Sequence, residues 1–237
     1  MDYGTLYLIP CPISDETAPW DVLPAANRDV MNSLDYFIVE NTRSARRFLS
    51  KAGVERPIGE LEFRELNEHT AAGREVEELV KPLLEGRSAG VISEAGVPGV
   101  ADPGALVVEA CHRRGIRVVP LVGPSSLILA VMASGLNGQS FAFNGYLPVK
   151  PPERAKAIRF FERRALTEGQ SQLFIEAPYR NGKLMEQLVQ TLGAETRLTV
   201  AVELTAPGGR IETRTAGEWR RRPLPELNKR PAIFIIG

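Results

Sequence analysis

The sequence predicts an α/β protein of two domains, on three observations. Short β-branched runs alternate with longer amphipathic segments, the signature of sheet strands separated by covering helices. The strands of the first half are continuously apolar, as expected for a mainly parallel sheet with helices on both faces. The second half instead carries two strand-like runs close together around "TAPGG", a spacing that suits an antiparallel hairpin with a longer loop, so its sheet is expected to be mixed. The chain has 237 residues, 43% of them apolar, enough for one large domain or two smaller ones. Gly and Pro punctuate Val122–Pro124, which places the boundary there, with domains 1–122 and 123–237.

In order along the first domain, "TLYLIP" (5–10), "DYFIVE" (35–40), "AGVISE" (89–94) and "IRVVPLV" (116–122) read as strands. "TRSARRFLSKAG" reads as a helix. So does "TAAGREVEELVKPLLEG", where Val76, Leu79, Val80, Leu83 and Leu84 repeat at helical period, Thr70 is the expected cap and Gly86 the expected stop. Asp102 and Pro103 read as the N-cap and first-turn proline of a helix over "GALVVEACHRRG". In the second domain "SSLILAVMASG" and "RAKAIRFFERRAL" read as helices. "SFAFNGYL", "SQLFIEA", "RLTVAVEL", "RIETRT" and "AIFIIG" read as strands.

Composition excludes several classes. Net charge is zero, against a nucleic-acid-coating protein, although a local basic patch stays open. Two cysteines, Cys11 and Cys111, give no disulfide framework and no paired-cysteine zinc spacing. Two histidines, His69 and His112, exclude a His-rich metal site, and no metal is expected. No basic-then-apolar leader and no apolar run of about 18 residues occurs, so a cytoplasmic protein without a membrane span is expected.

The candidate site comes from the strand ends. There is no G-x-G-x-x-G after the first strand and no G-x-x-x-x-G-K-[ST], so dinucleotide and P-loop readings lack support. Five strands end instead in small, kinked motifs: "PCPIS", "SEAGVPG", "GPSS", "EAPYR" and "ELTAPGG". Each alone is an ordinary tight turn. Strand ends sharing a sheet edge converge, and a ligand there meets backbone N–H and C=O groups more than long side chains.

Those motifs carry a resemblance. In order, "LYLIPCPI", "FIVENTRSARRFL", "NEHT", "GVISEAGVPGVADPG", "VVPLVGPSS", "FAFNGYLP", "ERAKAIRFF", "LFIEAPYR" and "VAVELT" resemble the tetrapyrrole methylase superfamily over nearly the whole chain. The nearest branch is that of the bacterial enzymes that 2′-O-methylate a 16S ribosomal RNA cytidine. The resemblance implies the two-domain α/β tetrapyrrole methylase fold, S-adenosylmethionine in the cleft between domains, a homodimer, and ribosomal RNA or the small ribosomal subunit as partner. It implies cofactor contacts at Pro10, Ser93, Glu94, Ala95, Gly96, Pro98, Ser125, Ser126, Glu176, Ala177, Val202 and Ala232. It also implies a short form without the tail domain of longer members. The chain departs from the branch at Cys11–Asp15, where threonine-proline-isoleucine-glycine-asparagine is usual. It departs again at Asn41 and Glu94, where aspartates are usual. A tetrapyrrole or other small-molecule acceptor, or a non-catalytic cofactor-binding module, are the alternative functions.

Methyl transfer from a sulfonium is an in-line displacement, and a hydroxyl acceptor must lose its proton. Glu94, Glu40 and His69 are the catalytic candidates. Glu94 either receives a ribose or acceptor hydroxyl or caps the glycine amides of its loop. Glu40 is expected to pair with Arg43, either shaping the acceptor side or as a purely structural ion pair. An unperturbed imidazole titrates near neutrality, which suits His69 to proton transfer, yet a histidine before a helix is also a common cap. Asn41 cannot act as a base, because an amide does not titrate. Tyr179 and Arg180 either reach the acceptor or pack at a helix start. Two basic clusters, Arg43/Arg46/Arg47 and Arg220/Arg221/Arg222 beside Trp219, are either RNA contacts or solvated faces.

Overall fold

The computed structural model describes residues 2–66 and 73–237. These divide into two compact units, Met1–Ser125 and Ser126–Gly237.

The first unit is built on β1 (Thr5–Ile9), β2 (Tyr36–Val39), β3 (Glu62–Glu65), β4 (Ala89–Ile92) and β5 (Arg117–Pro120). The sheet order is β3-β2-β4-β1-β5, and every pairing is parallel. The apolar runs alternate their side chains between two cores. Tyr36, Ile38, Ala89 and Val91 join one core with Val76, Val80 and Leu83 of α4 (Arg74–Leu84) and Val107 and Ala110 of α5 (Gly104–Arg113). Phe37, Val39 and Ile92 join the other, with residues of α1 (Pro19–Val22), α2 (Ala26–Ser33) and α3 (Thr42–Ala52). Both faces are therefore covered, as continuous apolar strands require.

The N-terminal sheet edge is pinned by charge. Arg87 donates to Asp35 at 2.9 Å and to Glu62 at 2.7 Å, and its guanidinium lies over the Tyr36 ring. Burial, reinforced by the Glu62 charge, pushes the Tyr36 phenol up to about 12.

The second unit contains β6 (Phe141–Tyr146), β7 (Ser171–Ile175), β8 (Arg197–Val202), β9 (Arg210–Thr215) and β10 (Ala232–Ile236) in the order β6-β7-β10-β8-β9. β6 and β7 are parallel, whereas β10 runs antiparallel to both β7 and β8. β8 and β9 form the expected antiparallel hairpin. One face carries the larger core, under α7 (Pro151–Glu168), α8 (Asn181–Thr191) and α9 (Ala216–Arg220). The other face packs Leu173, Ala201, Ile233 and Ile235 against Ala130 of α6 (Ser126–Ser134).

The expected elements form, with two shifts and several additions. α5 opens at Gly104 with Pro103 in the cap position. Asp102 sits one residue earlier and accepts the N–H groups of Gly99 and Gly104 at 2.9 and 2.6 Å. The expected cap Thr70 lies outside the described residues, and α4 begins after Gly73. α1, α2, β3, α8 and α9 add to the elements read from the sequence.

Candidate active site

In a parallel sheet every strand delivers its C-terminal turn to the same edge, which is where ligands bind in open α/β folds. At that edge of the first unit, Pro10–Cys11 follows β1, Glu40–Asn41 follows β2, Ser93–Gly99 follows β4 and Gly123–Ser125 follows β5.

These turns are in contact. Cys11 N–H donates to Gly96 O at 2.8 Å, bridging the first turn to the third. A Cβ on Gly123 would lie 2.3 Å from Cβ and Cγ of Pro10, so only glycine lets this backbone approach the Pro10 ring so closely. Gly96 adopts φ +71°, and a Cβ there would meet Pro124 O at 3.3 Å. The result is a rim of main chain. Pro10, Ser93, Gly96 and Pro98 keep their side chains buried or minimal, while Glu94 and Ala95 stand exposed.

The carboxylates follow from the same turns. Glu40 Oε2 accepts the Glu94 N–H at 2.8 Å, and Ser44 Oγ, from the first turn of α3, donates to Glu94 Oε2 at 3.1 Å. Burial raises the Glu40 carboxyl above its ordinary range; the Glu94 N–H bond opposes this, and the charges of Asp102 and Glu94 add to it. Asp102 is raised by burial against the two N–H bonds it accepts. Burial raises the Cys11 thiol well above its ordinary value, with smaller contributions from Glu94 and Glu40, so Cys11 is a neutral packing group.

Several expectations resolve here. Asn41 is the N-cap of α3, its Oδ1 accepting from Arg43 and Ser44 N–H at 2.9 and 3.1 Å, so its amide has a structural task. The expected Glu40–Arg43 ion pair does not form among the described residues; Glu40 binds the Glu94 backbone instead. His69 lies outside the described residues. On α3, Arg43, Arg46 and Arg47 are exposed, but Arg47 pairs with Asp15 at 2.9 Å and Arg46 lies over Phe63. The other basic cluster is largely structural. Arg220 donates to the carbonyls of Val189, in the last turn of α8, and of Leu192, its C-cap, Arg222 pairs with Glu212, and Trp219 is buried with its indole on Leu198 O.

The second unit gathers its own candidates at one sheet edge. β7 is followed by Glu176–Ala177, β8 ends at Val202, and β10 starts at Ala232, which pairs in register with Val202. Val202 and Ala232 are buried, so they can offer a ligand main-chain atoms only. Glu176 is the polar anchor: its side chain is 1% exposed. Oε1 accepts Ala177 N–H at 2.7 Å and an Arg180 N–H at 2.6 Å, while Oε2 is buried without a partner among the described residues. A buried carboxylate oxygen left unsatisfied is costly, and it fits a ligand that brings hydrogen-bond donors, as an amino or ribose hydroxyl group does. Glu203 and Thr205 follow β8 with φ of +47° and +69°, and Glu203 is held by Arg230 at 2.6 Å. Ser125 closes the first unit and Ser126 opens α6 of the second.

Sequence reasoning did not single out Ser44 or the Glu203–Arg230 pair. Ser44 carries no motif, because its role depends on a loop fifty residues away. Glu203 was readable only as part of the strand-end motif.

Comparison with known proteins agrees with this architecture. Residues 6–219 match the family model of the tetrapyrrole (corrin/porphyrin) methylases. The chain is 32% identical to the ribosomal RNA small subunit methyltransferase I of Xylella fastidiosa, over 98% of this chain and 80% of that protein. It is 33% identical to the protein of that name in Escherichia coli O157:H7, over 98% of this chain and 77% of that protein. Among solved structures, the methyltransferase CobJ shares the fold with a TM-score of 0.65 at 17% identity, covering 99% of this chain and 94% of that one. The chain therefore belongs to the tetrapyrrole methylases, a family of S-adenosylmethionine-dependent methyltransferases, within the branch of the ribosomal RNA small subunit methyltransferase I proteins.

Proposed function

We propose that this chain transfers a methyl group from S-adenosylmethionine to the 2′-hydroxyl of a ribose in ribosomal RNA. The observation that carries this reading is its kinship, at 32–33% identity across 98% of its length, with proteins named for methylating small-subunit ribosomal RNA. The cofactor supplies a methyl group activated by a sulfonium. The residues proposed to hold it are Pro10, Ser93–Gly96, Pro98 and Ser125 in the first unit, and Ser126, Glu176, Ala177, Val202 and Ala232 in the second.

The chain's own groups would act as follows. The main-chain rim fixes position with little side-chain ordering, which limits the entropy lost on binding. The buried Glu176 carboxylate accepts hydrogen bonds from cofactor N–H or O–H groups. Glu94 accepts the proton of the attacking hydroxyl: it is exposed, Ser44 orients one oxygen, and Glu40 holds its backbone. A positioned general base contributes about 10²–10⁴-fold in rate.

The partner proposed for this chain, besides RNA, is a second copy. Ile128 and Met132 of α6 are 47% and 73% exposed, an apolar helix face of the kind that subunit contacts cover.

The test is transfer of radiolabelled methyl from S-adenosylmethionine to isolated small ribosomal subunits lacking modification. Label recovered as a 2′-O-methylated nucleoside, and lost with Glu94→Ala, is expected. Methylation of a tetrapyrrole with no label in RNA would replace the acceptor, and cofactor binding without transfer to any acceptor would reduce the chain to a binding module.

A further inference from the structure

β6 and β7 are the parallel pair of the second sheet, so their C-terminal ends share one edge. The register of that pair slips between Phe143 and Tyr146, with Gly145 at φ +63°. Such a bulge re-aims the side chain that follows it. Here it turns out Tyr146, which is 63% exposed. After β7, the "EAPYR" turn presents Tyr179, 64% exposed. Two large aromatic rings thus stand in solvent at neighbouring strand ends of one edge.

Cations accompany them. Arg180 donates to the Tyr179 hydroxyl at 2.7 Å, and its guanidinium carbon lies 5.0 Å from the Tyr179 ring centroid. It cannot swing away freely, because the buried Glu176 holds it at 2.6 Å. Tyr146 pairs in register with Ile175, the residue before the Glu176 that holds this guanidinium. The exposed Lys229 is tied to this turn through its N–H, which donates to Pro178 O at 3.0 Å. Exposed tyrosines near cations have the composition of a surface that stacks unpaired bases and neutralises the phosphates between them.

We propose that Tyr146, Tyr179, Arg180 and Lys229 form the platform on which a single-stranded segment of the RNA acceptor docks, its bases on the two rings and its phosphates at the two cations. The proposal rests on the methyltransferase reading for its acceptor, but binding can be measured without turnover. The probe is a fluorescein-labelled single-stranded oligoribonucleotide of mixed sequence, about a dozen nucleotides long, followed by anisotropy against the full chain. Tyr146→Ala and Tyr179→Ala should each weaken binding about tenfold, and the loss should persist as salt rises, since stacking is not ionic. Tyr146→Phe should bind as the wild type does, and Tyr179→Phe, which keeps the ring but gives up the Arg180 hydrogen bond, should stay within about threefold of it, which separates stacking from misfolding. Lys229→Ala should weaken all sequences alike and reduce the slope of log affinity on log salt by about 1. Alanine variants that bind as tightly as wild type would overturn the platform, as would a loss that vanishes at high salt, or a wild-type chain that does not bind the probe. Calorimetry with S-adenosylmethionine separates the two levels. Cofactor binding and methylation of small ribosomal subunits with an unchanged KM in both alanine variants would defeat the platform alone. Absence of cofactor binding would defeat the methyltransferase reading.

Discussion

Gly123→Ala is the sharpest perturbation of the proposed cofactor rim. The added Cβ would sit 2.3 Å from two carbons of Pro10 and 3.3 Å from Leu23 Cδ2. Carbon atoms pack at about 3.5–4.0 Å, so more than an ångström must be found. Pro10 is buried at the end of β1, flanked in the sheet by β4 and β5, and its ring is not a flexible side-chain tip. One turn must therefore move. Overpacking of this kind costs about 1–3 kcal/mol, and displacing positioning groups by about 1 Å costs on the order of 100-fold in rate. Urea unfolding followed by tryptophan fluorescence can assign the loss, because Trp20 belongs to the first unit and Trp219 to the second. The Trp20 transition should shift to lower urea, and methyl transfer should fall about 100-fold. Gly182→Ala is the control: nothing lies within 4 Å of its added Cβ, and α8 should be unchanged or stabilised by up to about 1 kcal/mol. Wild-type stability and wild-type transfer in Gly123→Ala would refute the packing of the first and last turns.

Four further outcomes follow from the same geometry. Glu40 holds its proton more tightly folded than unfolded, so its contribution to stability is full below the ordinary value of 4.5 and is lost as pH rises through the raised folded value. Thermal unfolding should show wild type losing ground to Glu40→Gln between that range and neutrality; the opposite slope would contradict the burial. Asp102→Ala frees the N–H groups of Gly99 and Gly104 and should cost about 1–2 kcal/mol by urea unfolding. Ser44→Ala removes the hydroxyl that orients Glu94 and should lower kcat about three- to tenfold with KM unchanged; an equal effect in a Glu94→Ala background would disconnect the two residues. Met132→Glu should halve the mass seen by light scattering if α6 meets a second copy, and an unchanged mass would remove that contact.

Much of the fold was legible because burial and period coincide. β2 and β4 are apolar at every position and bury every residue, so they announce themselves as two-faced strands. β3 could not be read this way. It is an edge strand of sequence EFRE whose side chains are half-buried or exposed, and its place is fixed by pairing with β2 and by Arg87 on Glu62. α2, ANRDVMNS, buries only Asn27 and Met31, too little to generate an apolar stripe. At the site, the kinked turns were visible as motifs, but their meeting was not. The contacts of Gly123 with Pro10 and of Cys11 with Gly96 depend on the order β4-β1-β5, which no local pattern encodes. Arg220 misled for a related reason: an arginine run looks like a solvated or RNA-facing patch until its carbonyl partners on α8 are seen.

Amide hydrogen–deuterium exchange of the intact chain, with and without S-adenosylmethionine, tests the backbone rim most directly. Slowed exchange should concentrate in peptides spanning 93–99, 121–126 and 175–178, with little change along α4 or α7. Saturating cofactor that leaves those turns as fast as before, or that protects surfaces away from the strand ends, would contradict the account.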